Sequence, residues 1–264
     1  MMHKTTIVTA LYDIKRETEG DGRRLEDYFV WFEKTLQLNA NFVVYIQDSL
    51  IERFKEIIKP NITNIIIYST RLQDIPYYKY KDIMDEILQL DEYKKQIIAP
   101  SRIECKLSLY NIIQYSKLEW IKKVIQNNPF HSDYFFWMDA GCSRFFENTN
   151  LQQTWPDDSK LLPDKIIIQA RNDIYTYNNW NCLQYDAVNL LCGTLFGGYK
   201  NMMLWLCEKV KELFETLLSN NIVNNEQIAL AIIWKNNQDK FRIYINNTYL
   251  HLPLFKELSS AAKY

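Results

Sequence analysis

The order of hydrophobic segments along the chain predicts a mixed α/β fold. Short runs rich in β-branched and aromatic residues, which are typical of buried strands, alternate with longer segments whose apolar residues recur at helical spacing. The early order of strand, helix, strand, helix and strand implies a parallel sheet with right-handed crossovers. The predicted strands are residues 5–11, 41–46, 62–68, 133–138, 165–170, 190–196 and 241–245.

Five helices are expected between and after these strands. The clearest is amphipathic, with Met203, Leu206 and Val210 on one face. The tyrosine-rich segment 70–103 reads as partly helical, and we expect it to pass over the edge of the sheet. No repeat or linker divides the chain, so a single domain over residues 1–264 is expected. The predicted helices are residues 25–38, 49–58, 112–126, 200–218 and 226–234.

Composition and charge exclude several classes of protein. A hydrophobic fraction of 47% and a charged fraction of 24% are ordinary for a globular domain. The net charge of -1, without a long basic block, argues against nucleic acid as the main partner. The five cysteines show no CxxC spacing, which favours reduced thiols over a disulfide framework or a zinc site. No apolar segment approaches the length of a transmembrane span, so we expect a cytoplasmic protein, with peripheral membrane contact left open.

The sequence FFWMDAG carries the strongest candidate for chemistry. Asp139 follows a strand-like apolar run, and ligands of open α/β sheets bind at the carboxyl ends of the strands. Such a carboxylate can bind Mg²⁺ or Mn²⁺, and Ala140 and Gly141 leave room for a bulky ligand. An aspartate that caps a turn is an equally good interpretation. A single carboxylate therefore indicates a site without defining it.

A second group of glycines lies in CGTLFGG. We expect the strand to break at Gly197 and Gly198, where two glycines permit close approach of the backbone to a ligand. Taken alone, the motif favours an ordinary strand-to-helix turn, because it matches neither G-x-G-x-x-G nor a P-loop.

Two further positions have a structural and a functional interpretation. Asn225 is a plausible helix N-cap, and Glu226 then either benefits from the helix dipole or faces the cleft as a general base or hydrogen-bond acceptor. His251 lies between apolar residues, as packed histidines commonly do, but it also offers Asp139 a second metal donor.

Taken together and in order, several segments resemble the HtrL/YibB family of candidate bacterial glycosyltransferases. The resemblance runs from about Thr6 to about Ile245. It implies a GT-A-like fold with a mainly parallel central sheet and helices on both faces. It also implies transfer of a sugar from a nucleotide donor, with a UDP-sugar favoured, to a hydroxyl of a glycan or glycolipid, as in surface polysaccharide or lipopolysaccharide biosynthesis. The segments are IVTALYDIKR, YNIIQYSKLEWIKKVI, FFWMDAG, GTLFGG and NNEQIAL.

The resemblance also assigns roles to individual residues. GT-A enzymes typically carry a DxD metal motif, a glycine-bearing loop, an acidic position that opens a helix and a late metal-binding histidine. By this likeness Asp139 and His251 would hold Mn²⁺ or Mg²⁺, and Glu226 and Asp139 would be catalytic. The implied donor-binding residues are Thr9, Ala10, Tyr12, Arg16, Lys117, Trp137, Met138, Ala140, Gly141, Gly197 and Gly198.

One departure from the family pattern keeps other functions open. Gly141 stands where the second aspartate of DxD is expected, so the use of a metal is in question. The same departure motivates a second hypothesis, a sugar-nucleotide or glycan binding module without catalysis. A sugar nucleotidyltransferase is a third hypothesis, but it would need two or more acids around a metal pair, and FFWMDAG offers one.

Overall fold

The chain folds around one seven-stranded sheet with the strand order β3-β2-β1-β4-β6-β5-β7. The computed structural model describes residues 4–58, 64–146, 151, 153–171, 174–186, 188–245 and 253–260. Strand β6 runs antiparallel to both of its neighbours, and the other four strand pairs are parallel. The strands are β1 (Thr5–Leu11), β2 (Asn41–Gln47), β3 (Ile65–Thr70), β4 (Tyr134–Met138), β5 (Ile166–Ala170), β6 (Leu191–Tyr199) and β7 (Phe241–Ile245).

Helices cover both faces of this sheet. Helices α2, α3 and α9 bury their apolar residues on one face, and α4 to α8 bury theirs on the other. The predicted fold class, a mainly parallel sheet between helical layers, is therefore confirmed. The helices are α1 (Arg16–Glu19), α2 (Leu25–Thr35), α3 (Ile51–Ile57), α4 (Lys81–Gln89), α5 (Asp91–Gln96), α6 (Ser108–Asn127), α7 (Lys200–Ser219), α8 (Glu226–Asn236) and α9 (Pro253–Glu257).

The strand order creates a crevice beside β1. From β1 the chain builds outward through β2 and β3, and it then returns to place β4 on the other side of β1. Helices on opposite faces diverge at such a reversal, which leaves a crevice at the carboxyl ends of the two strands. Leu11 ends β1 and Met138 ends β4, so the residues that follow them lie at this crevice.

The predicted break at Gly197 and Gly198 is wrong. Both glycines lie within β6, opposite Phe136 and Phe135 of β4. A Cβ atom at Gly197 would lie 2.3 Å from the Phe136 ring, and one at Gly198 would lie 2.7 Å from the carbonyl oxygen of Lys165. The glycines therefore make room for neighbouring strands. Because β6 runs in the opposite direction, they lie toward the sheet edge away from the crevice.

The tyrosine-rich segment packs differently from the prediction. It forms α4, α5 and short 3-10 turns that contact α6 and α7 on one face of the sheet. The ring of Tyr77 meets that of Phe214 edge to face at a centroid distance of 4.7 Å. In the part of the chain that is described, no helix is both long enough and apolar enough to cross a membrane.

The packing of Gly197 predicts the effect of adding a side chain there. We expect Gly197→Ala to lower the free energy of unfolding by at least about 1–3 kcal/mol, because the methyl group overlaps the buried Phe136 ring. Urea denaturation checks this, with Ser69→Ala on the exposed face of β3 as the control. A Gly197→Ala variant as stable as the wild type would show that β4 and β6 are not packed as described.

Candidate functional site

A cleft of about 960 Å³ opens at the carboxyl ends of β1 and β4. One wall is formed by the end of β1 and the segment after it, including Ala10, Tyr12 and Arg16. The floor includes Asp139 and Gly193, and the first residues of α8 close the far side. The cleft therefore occupies the crevice at the reversal in strand order.

A buried lysine forms the centre of this site. Lys117 lies on the face of α6 that packs into the core, and its side chain is only 2% exposed. Its ammonium group donates to Glu226 Oε1 at 2.8 Å and to the carbonyl oxygen of Gly193 at 3.0 Å. It also lies 3.0 Å from Asp139 Oδ1. The ammonium group therefore makes two hydrogen bonds and a second ion pair.

The two carboxylates keep this lysine charged. Burial alone would lower the pKa of Lys117, but the nearby negative charges of Asp139 and Glu226 outweigh burial and raise the pKa above its ordinary value. An ammonium ion with three partners is the arrangement under which a buried charge is tolerated. Lys117 therefore connects α6, the end of β4 and the start of α8 through charge.

Asp139 is the carboxylate of this group that faces the cleft. Its side chain is 31% exposed, and its Oδ1 accepts a hydrogen bond from Trp137 Nε1 at 2.7 Å in addition to the contact with Lys117. Its backbone N–H donates to the carbonyl oxygen of Thr194 on β6 at 2.9 Å. Asp139 is thus fixed by groups from β4, β6 and α6, and a ligand in the cleft can reach it.

Glu226 lies behind that surface and is completely buried. Burial raises the pKa of Glu226 above its ordinary value, and attraction to Lys117 opposes the rise. The predicted N-cap is confirmed, since the Asn225 side chain accepts hydrogen bonds from the backbone N–H groups of Gln227 and Ile228. Oε1 of Glu226 packs against Gly193, where a Cβ atom would lie 2.0 Å away. Oε2 is buried and has no hydrogen-bond partner among the described residues.

Most of the predicted site residues reach the cleft. Lys117 does so with its protons directed at the carboxylates rather than at open space. The predicted residues that line the cleft are Ala10, Tyr12, Arg16, Lys117, Trp137, Asp139, Ala140, Gly141 and Glu226.

Four predicted residues are not brought to it, and a fifth has no described position. Thr9 is buried within β1, and Met138 packs into the core on the α2 side of the sheet. Gly197 and Gly198 lie inside β6, as described above. His251 falls outside the described residues.

The described residues do not fit a divalent metal ion at Asp139. Oδ1 already accepts from Trp137 and faces the Lys117 ammonium group, which would repel a second cation. A Cβ atom at Gly141 would lie 3.1 Å from the Trp31 ring, so a second aspartate at this position would have to displace side chains of α2. No group of three possible metal ligands occurs within the ranges that the structure describes.

Sequence reasoning missed several residues of the cleft wall. Glu104 is buried, and its Oε1 contacts Arg102 Nε at 2.8 Å and accepts from Asn225 Nδ2 at 3.2 Å. Within the described ranges its Oε2 has no hydrogen-bond partner. Arg23 and Arg144 line the cleft mouth. No motif marks these residues. Lys117, which was predicted, differs from them because the sequence carries a signal for it. A lysine among the buried residues of an apolar helix face requires a charged partner.

The buried ion pairs predict a large stability effect at Lys117. We expect Lys117→Met to lower the free energy of unfolding by about 3–5 kcal/mol, because Glu226 then stays buried without an opposite charge. Lys122→Met is the control. It removes the same charge from the same helix but breaks only a partly exposed pair with Glu208, and we expect a change of about 0.5 kcal/mol or less.

The same variant should change the pH dependence of stability. Without Lys117 the pKa of Glu226 rises further, so the folded form favours the protonated carboxyl group. The deficit relative to the wild type should be smallest below the unfolded pKa of glutamate, about 4.3, and should grow as pH rises through the folded pKa. Denaturation at several pH values checks this, and a deficit independent of pH would contradict the ion-pair assignment.

Comparison with known proteins places the chain in a family. It is 21% identical over 261 residues to Protein HtrL of Escherichia coli (strain K12), an alignment that covers 92% of this chain and 88% of that protein. The crystal structure of mouse xyloside xylosyltransferase 1 in its apo form is similar with a TM-score of 0.47 and 8% sequence identity, over 92% of this chain and 84% of that chain.

The family comparison covers nearly the whole chain. The model that matches is described as a bacterial protein of unknown function, HtrL_YibB, and the match extends over residues 3–257. This range contains all seven strands and every residue of the cleft. The chain therefore belongs to the HtrL_YibB family.

Proposed function

We propose that the protein is a glycosyltransferase that moves a sugar from a nucleotide-sugar donor to a hydroxyl group of a glycan or glycolipid acceptor. The observation that carries the proposal is the cleft at the reversal in strand order, with a partly exposed carboxylate, Asp139, fixed on its floor by Lys117. A sheet of this kind positions nucleotide ligands at this crevice. We favour a UDP-sugar as the donor, on the likeness of the sequence motifs.

The size of the cleft supports a ligand larger than a single sugar. Its volume of about 960 Å³ lies at the upper end of the roughly 300–1,000 Å³ that small-molecule sites occupy. The wall carries carboxylates as well as guanidinium groups, including Glu104, Arg16 and Arg144. Carboxylates accept hydrogen bonds from sugar hydroxyls, and guanidinium groups pair with phosphates. Both halves of a nucleotide sugar therefore find suitable partners.

The proposed reaction assigns different roles to the two carboxylates. The acceptor oxygen forms a bond to the anomeric carbon, the bond from that carbon to the diphosphate oxygen breaks, and the nucleoside diphosphate leaves with the electron pair. Asp139 contacts the acceptor and takes the proton that its hydroxyl group loses. Complete burial of Glu226 supports a positioning role for it, in which Glu226 and Lys117 together hold Asp139 in place.

Donor turnover tests this function directly. Incubation with a panel of UDP- and GDP-sugars, with and without Mn²⁺, should release a nucleoside diphosphate from at least one donor. We expect Asp139→Asn to reduce that turnover by about 10²–10⁴-fold, the usual contribution of a positioned acid or base. Asp133→Asn is the matched control, because Asp133 lies just before the opposite end of the same strand and pairs with Lys200 at the surface.

Two outcomes would count against the proposal. Unchanged turnover in a folded Asp139→Asn variant would show that Asp139 has no part in the reaction. Tight nucleotide binding without turnover of any donor would instead favour a binding module that has lost catalysis.

A further inference from the structure

The charge of a diphosphate must be balanced in the cleft, and this inference rests on the proposed function. The leaving group of a nucleotide sugar develops negative charge as its bond to the sugar breaks, and cations positioned beside it stabilise that charge. A metal ion does not fit the described residues around Asp139, and the Lys117 ammonium group already contacts Glu226, Gly193 and Asp139. The other cationic side chains that line the described cleft are Lys15, Arg102, Arg171 and a group of three arginines, Arg16, Arg23 and Arg144.

One part of this group forms around Asp21. Arg16 pairs with Asp21 through two nitrogens, with Nε to Oδ1 at 2.9 Å, and its Nη1 donates to Tyr28 Oη at 2.7 Å. Arg23 reaches the same carboxylate at 3.4 Å, and its side chain is 42% exposed. Two guanidinium groups thus share one carboxylate and leave an excess positive charge at the cleft mouth.

The other part is Arg144, in the turn that follows Gly141. Its guanidinium lies over the rings of Trp31 and Phe145, with distances of 5.3 Å and 4.7 Å to the ring centroids. Within the described part of the chain it makes no ion pair with a carboxylate. The rings restrict the motion of the side chain without neutralising its charge.

Arg144 lies within electrostatic range of both Arg23 and Asp139. The pKa of Arg144 is lowered mainly by reduced hydration and, to a smaller extent, by the like charge of Arg23. The negative charge of Asp139 acts in the opposite direction. The group remains charged at neutral pH. Two like charges near one another at a cleft mouth are stabilised when an anion binds between them.

We propose that Arg23 and Arg144, supported by Arg16, form the site for the diphosphate of the donor and replace a divalent metal ion in balancing its charge. Guanidinium groups bind phosphate oxygens through paired hydrogen bonds, so two of them suit the two phosphates of a nucleoside diphosphate. Arg144 lies three residues after Gly141 and lines the same cleft as Asp139, so phosphates bound to it would lie near the carboxylate that faces the sugar. Release of the diphosphate leaves these charges ready for the next donor.

Binding measurements test this site apart from catalysis. Isothermal titration calorimetry with UDP, UMP, uridine and inorganic pyrophosphate is carried out with EDTA and again with Mn²⁺. We expect UDP to bind equally well in both conditions. Arg144→Gln and Arg23→Gln should each weaken UDP and pyrophosphate by roughly tenfold or more and leave uridine unchanged. Arg242→Gln on β7 removes the same charge away from the cleft and should have no effect.

The outcomes separate this inference from the proposed function. UDP binding that requires Mn²⁺, or that is unchanged in both arginine variants, overturns the arginine site while leaving a glycosyltransferase possible. Pyrophosphate that binds through Arg144, together with no binding of UDP or any donor, supports the anion site and overturns the proposed function. A lack of binding by both UDP and pyrophosphate overturns both. Thermal denaturation of each variant shows whether it is folded.

Discussion

The candidate site depends on one buried ammonium group between two carboxylates. Lys117 comes from α6, Asp139 from the end of β4 and Glu226 from the start of α8, and their charges connect these three elements at this point. Removing charges from water is costly, so such a cluster persists only when each member has its partners. The Gly193 carbonyl group and Trp137 Nε1 supply further hydrogen bonds to Lys117 and Asp139, whereas Glu226 Oε2 has no partner among the described residues. The position of the reactive carboxylate is thereby fixed by the core.

This arrangement separates the charges of the cleft into two layers. The buried layer pairs the ammonium group of Lys117 with the carboxylates of Asp139 and Glu226, which raise the pKa of Lys117. The outer layer carries Arg23, which shares Asp21 with Arg16, and Arg144, which makes no ion pair with a carboxylate among the described residues. Anions entering the cleft therefore meet the arginines first, and hydroxyl groups that go deeper meet Asp139. The order matches a ligand whose phosphates and sugar are adjacent, which is the chemistry of the proposed donor.

The sequence predicted the sheet well and the site only in part. Strands such as β1 are buried on both faces, so their apolar runs are continuous and their ends are visible in the sequence. The glycine pair in β6 led to a wrong prediction. Two adjacent glycines are typical of a turn, but in this strand they make room for Phe136 on the neighbouring strand. Lys117 and Glu226 are 109 residues apart, and a contact over that distance leaves no spacing pattern. Arg23 and Arg144 could not be recognised as site residues from the sequence, because only the fold brings them to the same cleft.

Gly141 has a packing role beside Asp139. The DxD comparison treats it as a missing acid, whereas the structure packs Trp31 and Tyr28 of α2 against that position. Helix α2 thus occupies the space beside Asp139 and carries the ring on which Arg144 rests. Trp31 therefore contacts both the position that lacks a second carboxylate, Gly141, and the guanidinium group of Arg144.

A crystal structure with UDP and Mn²⁺, recorded with anomalous scattering from manganese, tests the central claim most directly. The account predicts a diphosphate beside Arg23 and Arg144 at the cleft mouth, with no anomalous peak at Asp139. An anomalous peak bound to Asp139, or a nucleotide bound away from the ends of β1 and β4, would contradict it.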